Sequence, residues 1–154
     1  MRSRYTHRLA RGETGSALAE IAVVLPLLVL MLIALIEVGR FGSYIIMTAN
    51  AARAGAQYGA QNTITANDVA GMKTSAKSDA QNDAGLSANA ITFCQCADGT
   101  VSTCLPADCS SSHRLIFVQV DTTGTWQSLT NFPGLPASLK TITVHGKSVM
   151  RVAQ

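Results

Sequence analysis

From Ile21 to Ile36 the chain reads IAVVLPLLVLMLIALI, without a charged or strongly polar residue. Carried back to Ala17, the run reaches 20 residues and is broken only by Glu20. As a helix rising 1.5 Å per residue it spans about 30 Å, the hydrocarbon thickness of a bilayer. Buried helices of globular domains rarely run this long without a polar residue. The sequence therefore predicts a transmembrane helix over 16–36. A cleaved secretory signal fits less well. Its apolar region is shorter, and a small-x-small site should follow directly. Here Glu37-Val38-Gly39-Arg40-Phe41 follows instead, and the chemically suitable Ala49-Asn50-Ala51 lies far downstream.

Charge is distributed just as unevenly. Arg2, Arg4, Arg8 and Arg11, set against Glu13, carry the whole net charge of +3, while residues 16–154 hold eight bases and eight acids. Basic residues before a span and no basic excess after it orient the N-terminus to the cytoplasm and the rest to the far side. The balanced body has no surplus for a polyanion, so nucleic acid is not an expected partner.

The basic leader ends at Gly15, and Glu20 is the fifth residue beyond it. An isolated acid at the edge of hydrocarbon costs free energy unless it is paired. Cleavage after Gly15 supplies the pairing: Ser16 becomes an N-terminal ammonium one helical turn from Glu20, on the same chain or a neighbour's. Gly15, Ser16 and Glu20 are thus the candidate processing site, and 1–15 a leader that is removed. Pro26 interrupts the span, removing one amide donor and crowding the Ala22 carbonyl. Membrane helices tolerate this where neighbours compensate, so Pro26 is a candidate packing position.

Gly15-Ser-Ala-Leu-Ala-Glu20, a run containing Ala22, Pro26, Leu27 and Leu28, and then Glu37-x-x-Arg40 resemble the N-terminal pattern of the TadE-like family. These are minor pseudopilins of the tight-adherence (Tad/Flp) pilus system. Ile21 stands where that family usually has an aromatic. Asn50-Ala-Ala-Arg53-Ala-Gly-Ala-Gln-Tyr58-Gly-Ala is also similar, and Leu135-Pro-x-Ser-Leu and Val149-Met-Arg-Val152 are so more loosely. The likeness covers residues 12–62, and 114–152 less closely. It implies processing by a prepilin peptidase. It also implies the major Flp-type pilin, a companion pseudopilin and the inner-membrane assembly platform as partners. The implied location is the inner membrane, single-pass, with a periplasmic body, or an extracellular pilus after incorporation. The alternative is an uncleaved membrane-anchored periplasmic binding module.

The helix is expected to continue over 37–62 as a projecting stem. Ala52, Gly55, Ala56 and Gly59 recur at helical spacing and make a face without large side chains. Such a face lets another backbone approach closely, either a partner helix or the protein's own sheet. Gly39, Gly42, Gly55 and Gly59 each cost roughly 1 kcal/mol of helix propensity, so packing must hold this segment.

Within 63–154 a break is expected at Asn62–Ala66, then a short weakly amphipathic helix over Asp68–Ala84 capped by Thr65 or Asn67. Three strands are expected to follow. Ile91 and Phe93 alternate in Ala90–Cys96, and Ile116, Val118 and Val120 alternate in Arg114–Asp121. Ile142, Val144, Gly146, Ser148, Met150 and Val152 share one phase of Thr141–Val152, as in a half-buried strand. A loop over Thr122–Lys140, with Trp126, Phe132, Pro133, Leu135 and Pro136, is expected to cover the sheet. The predicted fold class is α+β and pilin-like: a long N-terminal helix, a short second helix and a small antiparallel sheet.

Cys94, Cys96, Cys104 and Cys109 form C-x-C-x7-C-x4-C. Zinc knuckles use C-x2–4-C, and one pair here is C-x-C. An even number in an exported small domain favours disulfides. Three connectivities are open, and the nested one, 96–104 inside 94–109, suits a hairpin turning at Asp98-Gly99. No metal, cofactor or enzymatic activity is expected. There is no H-E-x-x-H, G-x-S-x-G or phosphate-binding glycine loop, and His7, His113 and His145 lie in unrelated segments.

Overall fold

The computed structural model describes residues 14–129, 136 and 140–153. The leader residues 1–13, and Phe132, Pro133 and Leu135 of the expected covering loop, lie outside them. The fold is α+β. Helix α1 (Thr14–Ala60) is followed by α2 (Thr63–Asn67), α3 (Val69–Asp79) and four strands: β1 (Leu86–Cys96), β2 (Val101–Ser102), β3 (Arg114–Gln127) and β4 (Thr141–Arg151). The chain divides into two compact units, with the boundary between Val38 and Gly39.

The first unit is the N-terminal part of α1. Its large apolar side chains, from Leu18 through Leu25, Leu30 and Leu35 to Val38, are exposed on every side of the helix. A helix that is apolar all round has no polar face to turn to water.

The second unit begins with α1 from Gly39 and ends with the sheet. The strands are antiparallel throughout and ordered β2-β1-β3-β4. β1 pairs with β3 from Leu86↔Gly124 to Cys96↔Arg114. β3 pairs with β4 from Phe117↔Arg151 to Gln127↔Thr141. One face of the sheet takes α1 and α3. The core is Ala56, Ala66, Met72, Ala76, Ala90, Val118, Val120 and Val152, with Ala51, Ala80 and Leu86 beside it. The helix residues of this core are alanines except Met72. The end of α1 is tied to the residues just past β4: the Ala153 N–H donates to the Ala60 carbonyl at 2.9 Å.

The even phase of β4 is the inward one: Val144, Gly146 and Val152 are buried, while Thr143, His145, Lys147 and Arg151 are exposed. Val118 and Val120 likewise face in. β1 departs from the expected phase. Its buried residues are Leu86, Ala90, Cys94 and Cys96, whereas Ile91 is 45% exposed and Phe93 stacks on Phe117 on the outer face. Strand pairing with β3 sets the phase, so two bulky residues could not.

Other boundaries also move. The expected break at Asn62–Ala66 holds α2, because Asn62 accepts from the Ile64 and Thr65 N–H groups at 2.9 Å and makes a cap. The next helix is capped by Asp68 and ends at Asp79, since Gln81 and Asn82 take left-handed conformations. A fourth strand, β2, is only two residues long and carries no periodic signal. The covering loop is shorter than expected, because Thr122–Gln127 continue β3 and bury Trp126.

Candidate functional site

Gly15 and Ser16 fall in the first turn of α1, and Glu20 follows on its exposed surface. Pro26 sits inside the helix and is exposed with the residues around it. Among the described residues, α1 is the one helix long and apolar enough to cross a membrane. Leu18, Val23 and Val38 are each at least 69% exposed, far beyond the scattered surface hydrophobes of a soluble chain.

The small-residue face has a different occupant. Ala52 and Ala56 are fully buried, and Gly55 and Gly59 are buried as well. A Cβ at Gly55 would meet the Met72 carbonyl at 2.8 Å and Val120 at 3.1 Å. The chain's own α3 and β3 therefore fill this face, and the close approach permitted by small residues serves the body. Farther along α1, Thr122 donates from Oγ1 to the Thr48 carbonyl at 2.8 Å, tying β3 to the helix backbone. No sequence pattern announced that bond, nor the bond from the Tyr44 hydroxyl to Asp83 at 3.0 Å. Asp83 lies past the end of α3, in the turn before β1.

All four cysteines are oxidised, as Cys94–Cys104 and Cys96–Cys109. The bridges interlace rather than nest. Cys94 pairs in register with Ser102, so Cys104, two residues on, falls beside it with Cα atoms 5.1 Å apart. Cys96 lies at the turn end of the hairpin, and the short 3-10 turn Pro106–Cys109 brings Cys109 back to it at 5.5 Å. Both Cα separations suit a disulfide. Asp108 organises the loop. The Thr103 hydroxyl donates to its carboxylate at 2.7 Å, joined by the Ser102 hydroxyl and the Thr103 and Leu105 N–H groups.

Those donors hold the Asp108 carboxyl below the usual range, the Thr103 hydroxyl foremost. The Thr100 hydroxyl and N–H do the same for Asp98. Asp68 is lowered by the Gly71 N–H and then by the Tyr58 hydroxyl, which donates at 2.8 Å. The same bond raises Tyr58. A carboxylate lowered in the folded state contributes stability above its unfolded value, near 3.8, and loses it as pH falls through the folded value. The body should therefore melt at progressively lower temperature below about pH 4. Asp68→Asn keeps a cap acceptor but not the charge, and should flatten that dependence. Thermal melts of both proteins between pH 2 and 6 would check it, and parallel curves would refute the assignment.

These features define a class: an α+β protein whose N-terminal helix is a candidate membrane anchor and whose body is closed by two disulfides. Residues 15–57 match the family model described as TadE-like protein, which bears out the resemblance and is consistent with a Tad pilus-associated component. No curated protein and no solved structure matches the chain.

Proposed function

We propose that this chain is the precursor of a minor pseudopilin for a Tad/Flp-type pilus, acting in assembly rather than catalysis. The observation that carries the reading is the exposed, all-round apolar helix, set directly behind the Gly15-to-Glu20 pattern, in the segment that matches the TadE-like family. A helix of this kind is stable only in lipid or packed among other apolar helices. The small-residue face from Ala52 to Gly59 is already filled by the body, and the exposed apolar residues 18–38 are the surface offered to lipid or to other apolar helices. In this reading a prepilin peptidase cuts between Gly15 and Ser16. The product sits in the inner membrane with its body in the periplasm. The major pilin, a companion pseudopilin and the assembly platform are its partners.

The mature N-terminus tests the proposal. N-terminal sequencing or intact mass should give Ser16. Met1 would support an uncleaved anchored module, and a start beyond Ile36 a secreted protein. Gly15→Leu should leave only the full-length form, and maturation of that variant to Ser16 would remove the basis for the cut site. Glu20→Gln should be processed and inserted normally yet fail to support piliation, because the amide cannot pair with the Ser16 ammonium as a charge. Normal piliation with Gln at position 20 would refute the pairing.

A further inference from the structure

We propose that the open edge of β4 is a docking site for an extended, acidic strand of another protein. The edge lies wholly within the unit that starts at Gly39. In the order β2-β1-β3-β4, β4 is the last strand, and it pairs on one side only. The ladder fixes which of its backbone groups face outward. The Ser128 N–H donates to the Lys140 carbonyl at 3.0 Å, and the Val152 N–H to the Ile116 carbonyl at 2.8 Å. Lys140 and Val152, one at each end of β4, therefore turn their backbone toward β3, and the register holds without offset between them. In an antiparallel pair, successive residues point their N–H and C=O to opposite sides. The odd residues Thr141, Thr143, His145, Lys147, Val149 and Arg151 thus aim theirs away from the sheet. Among the described residues, none of these backbone groups has a hydrogen-bond partner. The row stops at Arg151, because the Ala153 N–H is taken by the Ala60 carbonyl.

Long edges are ordinarily blunted by a proline, a bulge or a shortened strand. β4 has 11 residues, no proline and no bulge. What it carries instead is positive charge. His145, Lys147 and Arg151 are exposed on the outer face, and β4 holds no acid. Lys147 has Asp121 as its register partner, but that carboxylate already accepts from the Gln119 side-chain amide at 2.6 Å. Arg151 stands opposite Phe117, with neutral Leu115 and Gln119 on the diagonals. A strand added here gains backbone hydrogen bonds whatever its sequence, and side chains set the choice. Lys147 and Arg151 are four residues apart, so both lie on one side of the pleat. Opposite charges across a strand pair stabilise it, and like charges destabilise it. The occupant these cations select carries acids four residues apart on one face. A second copy does not qualify. Neither β4 nor β1, whose far side β2 covers only in part, has an acid to offer. Pairing β4 antiparallel with itself over its whole length sets Lys147 of each copy opposite His145 of the other.

The full chain, held in detergent micelles, is titrated with the synthetic peptide TVEVTVEVT, whose acids have that spacing. At saturation, exchange of the Thr143, His145, Lys147, Val149 and Arg151 amides should slow about tenfold, read residue by residue by NMR. The amides of Val144, Gly146, Ser148 and Met150 face β3 and should not change. TVEVTEVVT has the same composition with its acids on opposite faces, and should bind about tenfold more weakly. Lys147→Glu with Arg151→Glu should lose TVEVTVEVT by a similar factor and gain TVKVTVKVT. Both side chains are exposed, so the fold is spared. N-methylation of one alternate set of peptide amides should abolish binding, and of the other set spare it. Those peptide arms need no variant of the protein. Binding that leaves the odd β4 amides exchanging as before, or that ignores both methylated sets, is charge attraction alone and overturns the proposal. No binding, or equal binding of the two acidic peptides, overturns it too. Odd amides already protected in the free chain, in a dimer seen by sedimentation, assign the edge to a second copy and also overturn it.

Discussion

Gly146→Val should destabilise the body by about 3 kcal/mol, enough to lower its melting temperature by roughly 10 °C. Valine is ordinarily favoured in strands, so the sign comes from the packing. A Cβ at Gly146 would lie 2.6 Å from the Thr48 carbonyl oxygen and 2.6 Å from the Thr122 hydroxyl. The first is helix backbone and cannot turn aside. The second is the group that already bonds that carbonyl. Relief would require α1 to lift from the sheet, and with it the packing of Ala52 and Ala56. Gly42 offers the contrast, since nothing lies within 4 Å of its added Cβ. Gly42→Ala should stabilise the helix by about 0.5–1 kcal/mol. Melts of the two variants should therefore move in opposite directions. A Gly146→Val protein that melts like the parent would show that the close approach of helix and sheet is not tight.

The interlaced cystines make a second, larger contrast. Cys94→Ser with Cys104→Ser removes one whole bridge and leaves Cys96–Cys109 intact. That variant should fold, carry no free thiol and lose about 3 kcal/mol, as expected for closing a loop of this length. The sequence separations closed are 10 and 13 residues. Cys94→Ser with Cys109→Ser changes the same number of residues but strands Cys96 and Cys104, one from each bridge. It should show two reactive thiols or mispaired dimers, and lose the order of the Asp108 loop. Thiol counting and non-reducing intact mass distinguish the two. Nested bridges would give the opposite result, with the second variant closed and the first open.

Much of this protein is legible in one dimension because the relevant physics is local. Twenty nearly uninterrupted apolar residues demand lipid or apolar partners whatever the rest of the chain does, and the Gly15-to-Glu20 pattern lies in consecutive positions. The alternation in β3 and β4 likewise marks the inward phase without knowledge of the partner strand, because burial on one face of a pleat has period two. Other features depend on residues far apart in sequence. Ala52, Gly55, Ala56 and Gly59 form a small-residue face that sequence leaves open to a partner helix or to the body. Met72, Ala76 and Val120 decide it, because they fill that face. Ile91 and Phe93 look like the buried phase of β1, yet register with β3 turns Ala90 and Cys94 inward instead. Four cysteines imply two bridges, but their pairing waits on where the 3-10 turn returns Cys109. Side-chain periodicity is a property of the segment itself. Occupancy of a face and choice of a thiol's partner are set by long-range packing, which only the tertiary structure decides.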